Sequence, residues 1–367
     1  MHAAGRTPPC ESRSLGGGGS RLFLALLLAL GTSAGLTLGA EDLAGSGFSA
    51  MPLFPLTMGM APYPEAGSGL LEPGRFRLNS SLTWANTLRV EDGFRLPGYL
   101  LTIDAETLSL RQSFEIGIVQ GLEFGTWVEG AALFGGILDG PLSWFHHIFG
   151  FANQWRDYVA PGRVLVSVST PGGSLPELSE TSAGLHAIGF SLRCAPLRSL
   201  PLAAELWVKL PPPLGLPLPL TSEPAWGLSL GSELHIEDLS AAFGAGIAWE
   251  QASSRRDLVP PRSLLIQGRA RVFYQPAPWL ALGVEAAGSG SPYDTVERYL
   301  GGLAGNLWFG GKFLVAKNWI LELALVEELA SWASVEVGFQ AGFSWSPPLP
   351  RGRGSDNFGL APPRPGL

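Results

Sequence analysis

Between Trp226 and Glu250, apolar residues alternate with small or charged ones along two stretches joined at Glu237-Asp238. Trp226, Leu228, Leu230, Leu234 and Ile236 fall on one face, and Gly227, Ser229, Gly231, Glu233 and His235 on the other. Beyond the turn, Leu239, Ala241, Phe243, Ala245, Ile247 and Trp249 alternate with Ser240, Ala242, Gly244, Gly246, Ala248 and Glu250. Period two over about ten residues is what a tilted strand needs to cross a bilayer. One face is greasy and ends in tryptophan, and the other is small or polar. The pattern predicts a transmembrane β-hairpin with lipid outside and a polar lumen inside.

The N-terminus fits an exported chain. Leu22 to Leu30 is a short apolar run preceded by Arg6, Arg13 and Arg21 and followed by small residues. It predicts a signal peptide over residues 1–40, cleaved near Ala34 or Ala40, and is too short for a spanning helix. The net charge of −7 becomes more negative once those three arginines and Glu11 leave. An acidic exported chain argues against nucleic-acid partners. Cys10 leaves with the signal, so Cys194 stands alone and forms no internal disulfide.

No later segment has enough consecutive apolar residues for a membrane helix, so a chain that crosses a membrane must do so as a closed barrel. The fold class expected is all-β: a transmembrane antiparallel up-and-down barrel of about twelve strands, with fourteen as the rival count. The strands read as 75–89, 100–119, 122–134, 183–194, 201–210, 226–236, 239–250, 263–274, 279–287, 303–315, 319–328 and 334–345. The apolar phase changes near Thr107, since Leu101 and Ile103 are odd while Leu110, Phe114, Ile116 and Ile118 are even; a β-bulge there would explain it. Short and long connections alternate, as they do between the two sides of a barrel. A further run at 163–170 is assigned to the long outer loop 135–182, which keeps the strand number even. Residues 41–74, rich in Gly, Pro and Met, are either a plug tucked into the barrel or a flexible lead-in. Residues 346–367 read as a disordered tail. Trp226 and Trp249 would mark the outer aromatic belt, and Tyr274, Trp279, Trp319 and Trp345 the periplasmic one.

Parity assigns a polar set to the lumen. It comprises Arg77, Arg111, Glu115, Glu123, Glu129, Glu205, Lys209, Glu233, His235, Glu250, Arg269, Arg271, Lys312, Glu322 and Glu336. In a narrow lumen such charges must pair or stay wet. They either line a passage for polar solutes or fill and seal it. In the outer loop, 142–149 reads as a short amphipathic helix over the barrel mouth. Asp139, His146, His147, Arg156 and Asp157 are the loop candidates, although adjacent histidines do not share a helix face and no metal-ligand spacing appears. No nucleophile elbow, phosphate loop or zinc signature is present, and no cofactor is expected.

Several of these segments also carry a resemblance. Trp84-Ala85-Asn86, Asp104-Ala105-Glu106-Thr107, Gly135-Gly136-Ile137-Leu138-Asp139-Gly140 and Phe145-His146-His147-Ile148-Phe149-Gly150, leading to Arg156-Asp157, are similar in order and spacing to an uncharacterised family of Gram-negative outer-membrane β-barrel proteins, a domain of unknown function. An acidic residue is expected after the first histidine, where this chain has His147. The resemblance implies a barrel in the outer membrane and no particular activity. Its surroundings would be outer-membrane lipid and lipopolysaccharide, reached through the barrel assembly machinery. Three functions remain open: a channel or transport protein for small polar or lipidic molecules, a lipid hydrolase or acyltransferase using a rim histidine, and a structural or adhesive barrel binding partners through its loops.

Overall fold

The computed structural model describes residues 43–347 apart from 92, 94–96, 151–155, 157–158, 176, 196–199, 213–222, 252–261 and 330–333. The expected signal peptide, Asp157 and nearly all of the expected tail lie outside the described residues. No helix among the described residues is long and apolar enough to cross a membrane.

The strands are β1 Phe76–Glu91, β2 Leu100–Val119, β3 Leu122–Phe134, β4 Leu165–Thr170, β5 Gly173–Ser174, β6 Ser182–Cys194 and β7 Leu202–Leu210. They continue as β8 Ala225–Ile236, β9 Leu239–Glu250, β10 Leu264–Ala277, β11 Leu280–Ser289, β12 Ala304–Ala316, β13 Trp319–Glu328 and β14 Val337–Trp345. Among the described residues two helices, α1 Asp139–Phe149 and α2 Arg298–Gly301, lie in the long connections. Twelve strands pair antiparallel with their neighbours, and β14 returns to β1, with Ser81 opposite Gly342 and Thr83 opposite Gln340. Closure leaves no unpaired edge, the condition for a sheet exposed to hydrocarbon. The other two strands are extensions. β4 pairs with Leu100–Asp104 of β2, above the point where β3 ends opposite Glu106, and β5 pairs with β4. The run read at 163–170 is therefore a loop strand outside the twelve.

Alternation holds along the wall. In β7, Leu206, Val208 and Leu210 are exposed while Glu205, Trp207 and Lys209 are buried. At one end of the apolar surface Trp226 and Trp249 stack at 6.3 Å, and at the other Trp319 and Trp345 meet at 6.0 Å.

Two local expectations need correction. There is no bulge near Thr107, because β1 and β2 pair in one unbroken register from Phe76–Ile116 to Glu91–Leu101. Leu101 and Ile103 share the inward face with Arg111 and Glu115; they are apolar because they pack against Phe54, Leu56, Val166 and Val168. A bulge does occur in β6, where Glu129 faces Ala187 and Gly130 faces Leu185, leaving His186 as the extra residue. The other correction concerns α1. It starts earlier than expected, buries none of its residues and does not cap the mouth. Its first turn is tied to Asn86 and Glu106, whose parity is that of the outward-facing Leu78 and Leu82.

Candidate functional site

A barrel of twelve strands encloses more space than its own side chains fill, since about eight strands already give an interior that side chains can pack. Residues 43–74 occupy that space. They pass from the neighbourhood of Arg271 and Lys312 up to a turn at Phe54–Met60, then return to the start of β1. Leu43, Phe48, Met51, Leu53 and Tyr63 pack on Phe273 and Trp308 of the wall, and Met60 and Ala61 on Trp127 and Trp207. These four wall aromatics share the parity of the charged lumen residues, as alternation along their strands requires of inward-facing side chains.

An irregular segment buried in a lumen carries main-chain donors and acceptors that need partners. The charged wall supplies them. Glu285 accepts from Phe48 N at 2.8 Å, Glu250 from Ala61 N at 2.6 Å, and Glu123 from Leu71 N at 2.8 Å. Lys312 Nζ donates to the carbonyls of Ser46 at 2.5 Å and Gly47 at 2.7 Å. Arg271 donates to Gly45 O at 2.6 Å, Arg269 to Phe48 O, and Lys209 to Gly59 O. The one sheet-like contact of the segment, among the described residues, is the parallel bridge of Pro73 to Gly117.

The wall charges also pair with one another. Arg77 meets Glu115 at 3.4 Å, Arg111 meets Glu129 at 2.8 Å, and Lys312 meets Glu322 at 3.2 Å. Arg271 meets Glu233 at 3.2 Å, and Lys209 meets Glu250 at 3.8 Å. Glu205 accepts from Ser229 Oγ at 3.1 Å. Partners that the sequence reading left out are Arg193, 3.0 Å from Glu123, and Glu285, 2.5 Å from Arg269. Both have the inward parity of their strands and could have been found by it. Glu65, on the segment itself, lies 3.3 Å from Arg269. Burial pushes its carboxyl up, but Arg269, Arg193, Arg111 and Arg271 outweigh burial and bring it down to about 2. His235 is inward by parity yet sits at the short-turn mouth, exposed, 3.3 Å from Glu233. Toward that mouth the lumen keeps a polar cavity of about 90 Å³, bordered by Arg77, Glu115, Arg193, Glu205 and Arg271, with room for several waters.

A second cluster lies at the long-loop end, where outward-parity residues of β1 and β2 meet inward-parity ones at the rim of the wall. Trp84 Nε1 donates to Glu106 at 2.7 Å, and Glu106 also accepts from the amide of Leu138, just ahead of α1. Asn86 donates to Asp139 at 3.1 Å. Arg156 pairs with Asp139 and Glu336 and donates to Asn86 at 2.6 Å. Arg89 joins Glu336 at 3.1 Å and pairs with Glu328. Glu336, one of the residues that parity assigns to the lumen, stands just before β14 and joins this rim network through Arg89 and Arg156. Segments that the resemblance singled out, separated by tens of residues, thus meet at one place.

The histidines do not gather. His146 and His147 lie on α1, His186 in the wall 3.7 Å from Glu129, and His235 at the opposite mouth. Among the described residues no group of three metal-ligating side chains forms.

A family model described as "Protein of unknown function (DUF3187)" matches residues 57–346. No curated protein matches the chain. Among solved structures, the COG4313 outer membrane channel from Pseudomonas putida F1 is similar with a TM-score of 0.46 and 10% identity, over 76% of this chain and 97% of that one. The Pseudomonas putida toluene transporter TodX is similar with a TM-score of 0.37 and 12% identity, over 86% and 98%. Both likenesses are partial, and the barrel described above stands on its own strand pairing.

Proposed function

Because the chain belongs to the DUF3187 family, to which no activity is assigned, its function has to be read from its own geometry, and we propose that it is an outer-membrane channel gated by residues 43–74. The observation that carries this reading is how the lumen is closed. The filling segment is held by side chains gripping its main chain and by apolar packing, with a single bridge to the sheet. Such a segment can leave or rearrange without breaking the barrel, because no strand pairing of the wall depends on it.

Membrane insertion is supported by the exposed apolar band of the wall and by the tryptophan pairs at its two ends. With the long connections outside, the short-turn mouth faces the periplasm of a Gram-negative cell. The cargo supported best is a small polar solute, since the cavity at that mouth is lined by arginine and glutamate.

Planar-bilayer recording tests the reading. The intact protein is expected to conduct in rare, brief steps, and a variant lacking residues 45–70 to conduct steadily. A deletion variant that inserts as a heat-modifiable barrel and still passes no current would remove the channel function.

A further inference from the structure

Outside the barrel wall at the long-loop end, a cavity of about 200 Å³ lies between β1, β2, α1, Arg156 and residues 159–161. Leu88, Val159, Ala160 and Pro161 give it apolar walls, and Asp104, Ser143 and Arg156 give it polar groups. Asp104 is only 2% exposed, yet no hydrogen bond or ion pair reaches its carboxyl group among the described residues, and its Oδ2 is fully buried. A buried carboxyl group that no side chain or main-chain donor reaches keeps its full demand for a hydrogen-bond donor. The neighbouring charges do not meet it. Arg156 is already committed to Asp139 and Glu336, while the exposed Arg163 acts on Asp104 only at a distance.

We propose that this cavity binds a small protonated amine on a compact apolar body, its ammonium group on Asp104 and its apolar part against Leu88, Val159 and Pro161. Size supports the class: an apolar cavity of about 150 Å³ accepts benzene, so this one accepts a molecule of benzylamine size. The lack of a three-ligand metal group among the described residues favours an organic cation over a metal ion. The site does not depend on the lumen being a channel.

Isothermal titration of the intact barrel in detergent micelles, with benzylamine and its neutral analogue benzyl alcohol, tests the proposal. Benzylamine should bind saturably at one site, and benzyl alcohol at least about tenfold more weakly, because the alcohol leaves the carboxylate unpaired. Asp104→Asn should lose a similar factor. Ser143→Phe, on the loop helix rather than the wall, should fill the cavity and abolish binding without altering heat-modifiable migration. The proposal is overturned by the absence of saturable benzylamine binding, by equal binding of the alcohol, by an unaffected Asp104→Asn variant, or by Mg²⁺ competing for the site. If Asp104→Asn does not fold, the amine-to-alcohol ratio and Ser143→Phe decide.

Discussion

Gly231 and Gly244 face each other across β8 and β9, and the main chain of the lumen segment rests on both. A Cβ at Gly231 would stand 2.5 Å from the carbonyl oxygen of Gly67, and one at Gly244 2.5 Å from that of Glu65. The obstacle in each case is backbone, which cannot swing aside. Gly244→Val is therefore expected to weaken the seating of the segment by about 1–3 kcal/mol, the usual cost of overpacking. The barrel itself should survive, since a β-branched residue suits a strand. Residues 43–74 should become more sensitive to protease, and bilayer conductance should rise. Unchanged protease resistance would show that the segment does not lie there.

Lys312 makes the case for the wall charges as anchors. It is fully buried, donates to two carbonyls of the segment and pairs with Glu322. Lys312→Met leaves a buried carboxylate without its cation, an error of about 3–5 kcal/mol. Lys312→Met with Glu322→Gln removes the stranded charge and should recover most of that loss. The segment would still lack its anchor. Urea denaturation of the folded, heat-modifiable form separates the two: the single variant should unfold well before the double one. Equal loss in both would mean that the ion pair is not coupled in the way its geometry indicates.

Acid should loosen the segment through Glu65. Its carboxyl is depressed from 4.5 to about 2 in the folded protein by the four arginines around it. A depressed group contributes stability that is complete above its unfolded pKa and disappears as pH falls through the folded one. The contribution of Glu65 is therefore full above 4.5 and lost between 4.5 and about 2. Protease access to residues 43–74 should rise over that window, and the part due to Glu65 should be missing in Glu65→Gln. Identical pH profiles for the two proteins would exclude Glu65 as the titrating anchor.

The hairpin from Trp226 to Glu250 was legible because both of its faces repeat, and its boundaries in the structure differ from the pattern by one residue at most. Alternation also indicated which charges point inward. What they hold was not legible. Besides their side-chain counter-ions, Glu250, Lys312 and Arg271 hold main-chain groups of a segment without periodicity, and main-chain groups leave no mark in a sequence. The same hidden partner explains the misplaced bulge. Leu101 and Ile103 looked out of phase only on the assumption that everything inside is polar, whereas Phe54 and Leu56 make part of the interior apolar. The bulge at His186 was not legible for a different reason. A single inserted residue shifts parity, and nothing local in Leu185-His186-Ala187 announces it.

The rim network can be tested at its simplest bond. Trp84 Nε1 donates to Glu106 Oε2 at 2.7 Å, while Glu106 Oε1 accepts from Leu138 N. The indole thus positions the carboxylate that holds the start of α1. Trp84→Phe keeps an aromatic ring on the wall but removes the donor. A hydrogen bond to a charged group contributes about 1.5–3 kcal/mol, and part of that loss should reach the helix through Glu106. Hydrogen exchange at Leu138 and at Leu142, whose amide donates to Leu138 O at 2.9 Å, should speed up by roughly ten- to a hundredfold, in line with that energy. Amides in β8 and β9, on another part of the wall, should exchange as before. If Leu138 and Leu142 keep their protection in Trp84→Phe, the bond does not hold the helix, and the docking of α1 rests on Asn86, Asp139 and Arg156 alone.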